Sequence, residues 1–138
     1  MNKIVLDTNI LISFVTDRNL EQQKMANMLF DNTFQLKTLV FCPQNVLTEF
    51  VYVMDRVYEV PRDQINEILE DLISMPGIEI IHDLNMEQLL NYWPKYFNDF
   101  GDAIVASVCR EIKGSAVATF DRKFINALKK ADLEIHTF

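Results

Sequence analysis

Lys3-Ile4-Val5-Leu6-Asp7-Thr8-Asn9, almost at the start of the chain, is the stretch on which the fold turns. Lys3 to Leu6 is a short apolar run that stops at an acid and a turn-prone Thr-Asn pair, the pattern of a buried first strand. From about Asn9 the apolar spacing changes to that of a helix, through Ile10, Leu11, Ile12 and Phe14, ending near Asp17. Leu20 to Phe30 predicts a second helix, with Met25, Met28 and Leu29 on one side and Glu21, Gln22 and Lys24 on the other.

The alternation continues outward. Thr38 to Cys42 is rich in β-formers and stops at Pro43, which suits the first turn of a helix because its missing N–H has no partner there. Val46, Leu47, Phe50, Val51, Val53, Met54 and Val57 follow at helical spacing. Pro61 opens another helix through Ile65, Ile68, Leu69 and Leu72, ended by Pro76-Gly77. Ile78 to Ile81 predicts a third strand, Asn85 to about Trp93 a helix, and Phe100 to Lys113 a further helix stopped at Gly114. Ala116 to Phe120 predicts a fourth strand, Arg122 to Lys130 a helix, and Leu133 to Thr137 a last strand. Strands separated by helices imply right-handed crossovers and an α/β fold: a three-layer α/β/α sandwich with a mainly parallel central sheet.

Composition bounds the function. At 138 residues the chain reads as one domain, 1–138, given a prior of about 150 residues per domain. With 49% hydrophobic residues, 3 Gly and 4 Pro it can bury a core. Thirteen basic against 20 acidic residues give a net charge of −7, which excludes an indiscriminate nucleic-acid coat and leaves room for an enzyme that concentrates acids at one place. Cys42 and Cys109 lack metal or redox spacing and read as free thiols. No signal peptide or membrane span is legible, so the expected location is the cytoplasm.

In an open parallel sheet, chemistry lies beyond the carboxyl ends of the strands. Asp7 follows the first strand and Asp121 the fourth, while Asp102 lies in the first turn of its helix and Glu49 in the second turn of its own. If both helices begin at that edge, four carboxylates converge. Each has a purely structural reading as well. Asp7 and Asp121 are good N-caps, and Asp99 and Asp102 are spaced as in a capping box. Glu49 stands among Val46, Leu47, Phe50, Val51 and Val53, on a helix expected to be apolar around most of its circumference, where an acid is costly unless paired. The acids at 55, 59, 63, 67, 70 and 71 read instead as a solvated face. Clustered carboxylates without His or Cys favour Mg²⁺ or Mn²⁺ over zinc, the apparatus of metal-assisted phosphodiester hydrolysis.

Four segments together make a specific resemblance. Ile4-Val5-Leu6-Asp7-Thr8-Asn9, Leu47-Thr48-Glu49-Phe50, Asp99-Phe100-Gly101-Asp102-Ala103-Ile104-Val105-Ala106 and Ala118-Thr119-Phe120-Asp121-Arg122-Lys123-Phe124 resemble the PIN-domain nucleases, in size and layout the single-domain VapC-type toxins of toxin–antitoxin pairs. The resemblance implies that Asp7, Asp102 and Asp121 bind metal. It implies that Glu49 joins them and helps activate water, that Asp99 is an auxiliary acid, and that Thr8, Asn9 and Thr119 orient the carboxylates. It further implies an RNA substrate, a small antitoxin partner and a homodimer.

Residues 110 to 130 carry a local excess of four positive charges, and Arg122 and Lys123 adjoin the expected site, where they can touch RNA phosphates. Tyr92, Trp93, Tyr96, Phe97 and Phe100 divide between core packing, base stacking and a protein contact, as Met25, Met28 and Phe30 divide between core and dimer contact. His82 and His136 have no partner in sequence. Two other readings stand beside the nuclease. One is a catalytically silent PIN-fold module for RNA or protein binding. The other is a haloacid-dehalogenase-like phosphatase, which needs a second Asp two residues after the first, where this chain has Asn9.

Overall fold

The computed structural model describes all residues, 1–138. Its elements run β1 (Asn2–Leu6), α1 (Thr8–Val15), α2 (Leu20–Phe34), β2 (Thr38–Pro43), α3 (Gln44–Arg56), α4 (Arg62–Ser74), β3 (Ile78–Ile81), α5 (Met86–Tyr92), α6 (Phe100–Glu111), β4 (Ser115–Ala118) and α7 (Arg122–Lys130). All strand pairs are parallel and the sheet order is β3-β2-β1-β4. The fold is therefore the α/β sandwich expected of the alternating pattern, with a sheet that is wholly parallel.

The order places the site. From β1 the chain steps outward to β2 and β3, then returns across the sheet through α5 and α6 to lay β4 on the far side of β1. Its direction reverses between β1 and β4, and at such a switch point the flanking loops diverge and leave a crevice above the strand ends. Register aligns the two strands along their length, Ile4 with Ala116 and Leu6 with Ala118, so the residues that follow each leave the sheet together. Right-handed crossovers put helices from the outward and return journeys on opposite faces.

Ile4, Val5, Leu6, Val40 and Val117 fill the sheet side of the core, and Ile10, Phe50, Ala103, Val105, Ala106, Phe124 and Leu128 close on them from the helices. Ala103 and Ala106 are fully buried on α6, where small side chains let the helix lie close against β1 and β2. Gly77 is required by its turn, because its φ is +87° and an added Cβ would meet the Thr33 carbonyl oxygen at 2.6 Å. No helix is long and apolar enough to cross a membrane.

Two expectations need correction. Leu133 to Thr137 forms no strand, only a parallel bridge between Ile135 and Val117. In a parallel ladder alternate residues point their N–H and C=O to the same side. On β4 that leaves Ser115 and Val117 facing the outer edge, but the Ser115 N–H is already bonded to the Ile112 carbonyl. Val117 alone remains, accepting from the His136 N–H and donating to the Glu134 carbonyl. The fourth strand also stops at Ala118 rather than Phe120, because side-chain hydrogen bonds replace the ladder beyond it.

Candidate active site

Asp7 is the hub. It leaves β1 with its own N–H bonded to the Ala118 carbonyl, so backbone pairing to β4 fixes its Cα. One carboxylate oxygen accepts from the Thr8 N–H at 2.8 Å, which makes Asp7 the N-cap of α1. The other accepts from the Thr119 hydroxyl at 2.7 Å and the Asn9 amide at 3.1 Å. The Thr119 oxygen in turn accepts from the Asn9 amide at 2.9 Å and the Asp121 N–H at 3.1 Å, while the Asn9 side-chain carbonyl takes the Phe120 N–H. Asn9 thus stitches the two strand ends together, with its amide committed to positioning.

Asp121 follows β4 by three residues and caps α7, accepting from the N–H groups of Lys123 and Phe124. Its carboxylate is exposed, so capping and facing the crevice coexist. Asp99 caps α6 through the Asp102 N–H at 2.9 Å. Asp102 sits half-buried in the first turn of that helix, and its carboxylate makes no hydrogen bond in the protein.

Glu49 arrives for a different reason from the one its sequence neighbours suggest. Helix α3 buries only Val46, Phe50 and Met54, so it is amphipathic, and Glu49 lies on the open side. An exposed acid needs no burial partner; Glu49 is instead held toward the site by the Thr8 hydroxyl, 2.9 Å from Oε2. The helices carrying Glu49 and Asp102 are tied by Asn45, whose amide reaches the Gly101 carbonyl at 3.4 Å.

The acids feel one another. Burial pushes the Asp7 carboxyl up to about 6, against the hydrogen bonds from Thr119 and Thr8, with the charges of Glu49 and Asp121 adding to the rise. Burial likewise pushes Asp102 up to about 7, helped by the charges of Asp7, Asp99, Asp121 and Glu49. All the donors are carboxylate oxygens without His or Cys, a set suited to a hard divalent ion that would relieve this repulsion. The side chains stand open rather than as a finished cage, for no three of them already surround one point closely enough to hold an ion. In chemistry the donor set fits such an ion; closing in around it is left to side-chain rotation.

A family model for the PIN domain matches residues 4–130. The chain belongs to the PIN domain family. The matched span includes Asp7, Glu49, Asp102 and Asp121. This PIN domain is similar to a VapC ribonuclease of Aquifex aeolicus (strain VF5), 22% identical over 120 residues that make up 87% of this chain and 88% of that one. Its fold matches the crystal structure of VapBC2 from Rickettsia felis bound to a DNA fragment from their promoter, with a TM-score of 0.66, 16% identity, and coverage of 99% of this chain and 98% of that one.

Around the PIN-domain acids, Arg122 and Lys123 are exposed at the start of α7. In the aromatic stretch Tyr92 and Phe97 are buried, Trp93 is half-buried against Phe100, and Tyr96 and Phe100 are exposed. Phe30 joins the core, Met25 is half-buried and Met28 is exposed. Cys42 and Cys109 are buried free thiols. Two residues near the site carry no signal in sequence spacing: Asn45, whose tie to Gly101 exists only across helices, and Arg18, which folds back over α1 to the Asn9 carbonyl. An Arg-Asn pair between two helices reads as ordinary turn chemistry.

Proposed function

We propose that the chain, as one PIN-like domain over 1–138, is a divalent-metal-dependent endoribonuclease and the toxin of a type II toxin–antitoxin pair. The observation that carries this reading is the gathering of Asp7, Glu49, Asp102 and Asp121 near the switch point of the sheet, where the charges of Glu49 and Asp121 add to the raised proton affinity of Asp7, and those two with Asp7 to that of Asp102. The ribonuclease name of the Aquifex relative supports RNA as the substrate, and the VapBC2 title supports a small antitoxin as partner. A homodimer and a cytoplasmic location complete the proposal.

Asp7, Asp102 and Asp121 are the carboxylates that would hold Mg²⁺ or Mn²⁺, with Asp99 as an auxiliary acid. When bound, the ion offsets charge developing on the phosphate oxygens and makes water easier to deprotonate. Thr119 and Asn9 hold one Asp7 oxygen, so this acid is presented in one rotamer. Thr8 occupies Oε2 of Glu49 and leaves Oε1 as the atom to take the proton of the attacking water. Arg122 and Lys123 contribute positive potential for the RNA backbone.

The test is cleavage of structured RNA by purified protein in EDTA, Mg²⁺ or Mn²⁺, beside Asp7→Asn and Asp102→Asn. Cleavage with either metal, abolished by EDTA and by both substitutions, is expected. Equal cleavage by the variants would point to a contaminant and sink the site assignment, and a wild type that binds RNA without cutting any would favour a silent binding module. Growth arrest on expression, lost with Asp7→Asn, tests the toxin role.

A further inference from the structure

Beside the acids lies an open cleft of about 440 Å³, lined by Asn9, Arg18, Asn19, Gln22, Phe120 and Asp121. Two of its walls, Asn9 and Asp121, belong to the carboxylate network already described, so whatever enters the cleft lies against Asp121 and against the residue that holds Asp7. The cation in its lining is Arg18, and that side chain is unusually well held for an exposed residue. Its Nε donates to the Ser13 hydroxyl at 3.1 Å and its Nη2 to the Asn9 carbonyl at 3.3 Å. Ser13 is fully buried and its hydroxyl donates to the Gln22 side-chain oxygen at 3.0 Å, so the anchor is itself fixed from behind.

What Arg18 lacks is an acid. The chain's ion pairs both involve Asp55, on the far part of α3, and no carboxylate stands within pairing distance of Arg18 although it shares a cleft with Asp121. A guanidinium has five N–H donors. Two are used on neutral protein acceptors, while Nη1 donates to nothing. The charge is therefore fixed in place and uncommitted, and little further ordering is needed when an anion arrives. The single aromatic wall, Phe120, is backed by Phe138 at 5.0 Å and offers a flat apolar surface next to the charge. An anion joined to a flat ring is a nucleotide unit.

We infer that this cleft is a subsite for single-stranded RNA, in which Arg18 holds a phosphate adjacent to the one being cut and Phe120 supports a base. The inference rests on the nuclease reading for its substrate class. Arg18 is a binding residue, and it couples the subsite to the acids through Asn9, whose carbonyl it grips and whose amide holds Asp7.

The test measures binding apart from cleavage. A fluorescein-labelled random-sequence 12-nucleotide single-stranded RNA is titrated by anisotropy in EDTA across a salt series. The proteins are wild type, Arg18→Ala, Arg18→Lys, Arg18→Gln and, as a control, Lys37→Ala just before β2, at the amino ends of the strands and away from the acids; melting curves accompany each. Arg18→Ala is expected to weaken binding about tenfold, as loss of a charge-assisted phosphate contact does. The slope of log K against log salt should fall by about 0.7, the share of one phosphate on a single strand. Arg18→Lys should keep most of the slope and lose part of the affinity, and Lys37→Ala should change neither. Arg18→Gln removes the charge while keeping a donor for Ser13 or Asn9, and serves if the alanine variant does not fold. An unchanged salt slope in Arg18→Ala or Arg18→Gln would overturn the subsite, even with a lowered melting temperature, as would wild-type protein that fails to bind the probe. The cleavage assay decides the nuclease reading separately: Arg18-dependent binding without cleavage keeps the subsite and removes the nuclease.

Discussion

The strand-end half of the acid site and its helix half are held by different means. Asp7 and Thr119 sit where β1 and β4 leave the sheet, and both carboxylate oxygens of Asp7 accept from protein donors. Asp102 comes from the first turn of α6 and Glu49 from the second turn of α3, and Asp102 has no side-chain hydrogen bond while Glu49 has one. The first half has its geometry fixed by folding. The second carries more of the uncompensated charge and has room to move. A site of this kind presents one acid rigidly and lets the others close on whatever offsets their repulsion, which matches the open arrangement of the carboxylates.

The sharpest way to break the comparison is to neutralise one acid from each half. Asp7→Asn and Asp102→Asn should both bring RNA cleavage to background, yet only the second should raise the melting temperature at pH 7.5 without metal. Asp102→Asn removes repulsion and costs no hydrogen bond, so the protein should melt several degrees higher. Asp7→Asn replaces one accepting oxygen with an NH₂ that opposes either the Thr8 N–H or the Thr119 and Asn9 donors, so it should melt no higher than wild type. Equal shifts in the two variants would erase the distinction between the halves.

Titration separates them next. Both folded carboxyls sit above the ordinary value of 3.8, Asp7 near 6 and Asp102 near 7. Between those limits the unfolded chain has given up protons that the folded chain retains, so rising pH withdraws stability across this window and then levels off. The metal-free protein should therefore lose on the order of 10 °C in melting temperature from these two groups between pH 4 and pH 7.5, after discounting for the partial exposure of Asp102. Asp102→Asn should flatten the upper part of that decline, and millimolar Mg²⁺ or Mn²⁺ should restore stability at pH 7.5 but not at pH 4.5. A wild-type profile indistinguishable from that of Asp102→Asn would show that the helix half stores no such strain.

Hydroxyl deletions give a smaller and graded contrast. Thr119→Val removes the donor to Asp7 and the acceptor for Asn9 and the Asp121 N–H, and should lower cleavage by about 10–100-fold, the range for residues that orient a metal ligand. Thr8→Val removes one hydrogen bond to an exposed acid that can find its place by rotation, and should cost under about tenfold. The reverse order, read as kcat at saturating RNA, would place the positioning burden on the helix half.

The same division decides what was legible in sequence. The β1 stretch ending at Asp7 and the positions of Asp102 and Asp121 relative to their helices follow from local pattern alone, because strand ends and helix caps have short-range signatures. The PIN-like sheet was legible for the same reason: its strands are short apolar runs between periodic helices. The sequence singles out Glu49 for a reason the structure overturns, since apolar neighbours in sequence spread around a helix and only the tertiary packing decides which side is covered. The last strand failed because one hydrogen bond, from Ser115 to Ile112, removed half of the available edge, and Arg18 escaped notice because its partners lie across a turn. The covered side of α3 is set by contacts between elements, which no spacing rule encodes, while the other two rest on turn geometry that residue types alone leave open.

Arg122 and Lys123 give the smallest expected effect and the finest discrimination. They occupy the first two positions of α7, where the helix dipole disfavours positive charge by roughly 0.3–1 kcal/mol each. Neither takes part in an ion pair, and both are exposed, so stability gives no reason for them to stand there. The Arg122→Ala, Lys123→Ala double variant should melt about 1–3 °C higher than wild type while raising the KM for RNA a few-fold and leaving kcat unchanged. Cations that oppose their own helix yet leave catalysis at saturation untouched are placed for the approach of a polyanion. A lower melting temperature with an unchanged KM would instead make them part of the scaffold, and would leave Arg18 to carry the positive side of the strand-end half.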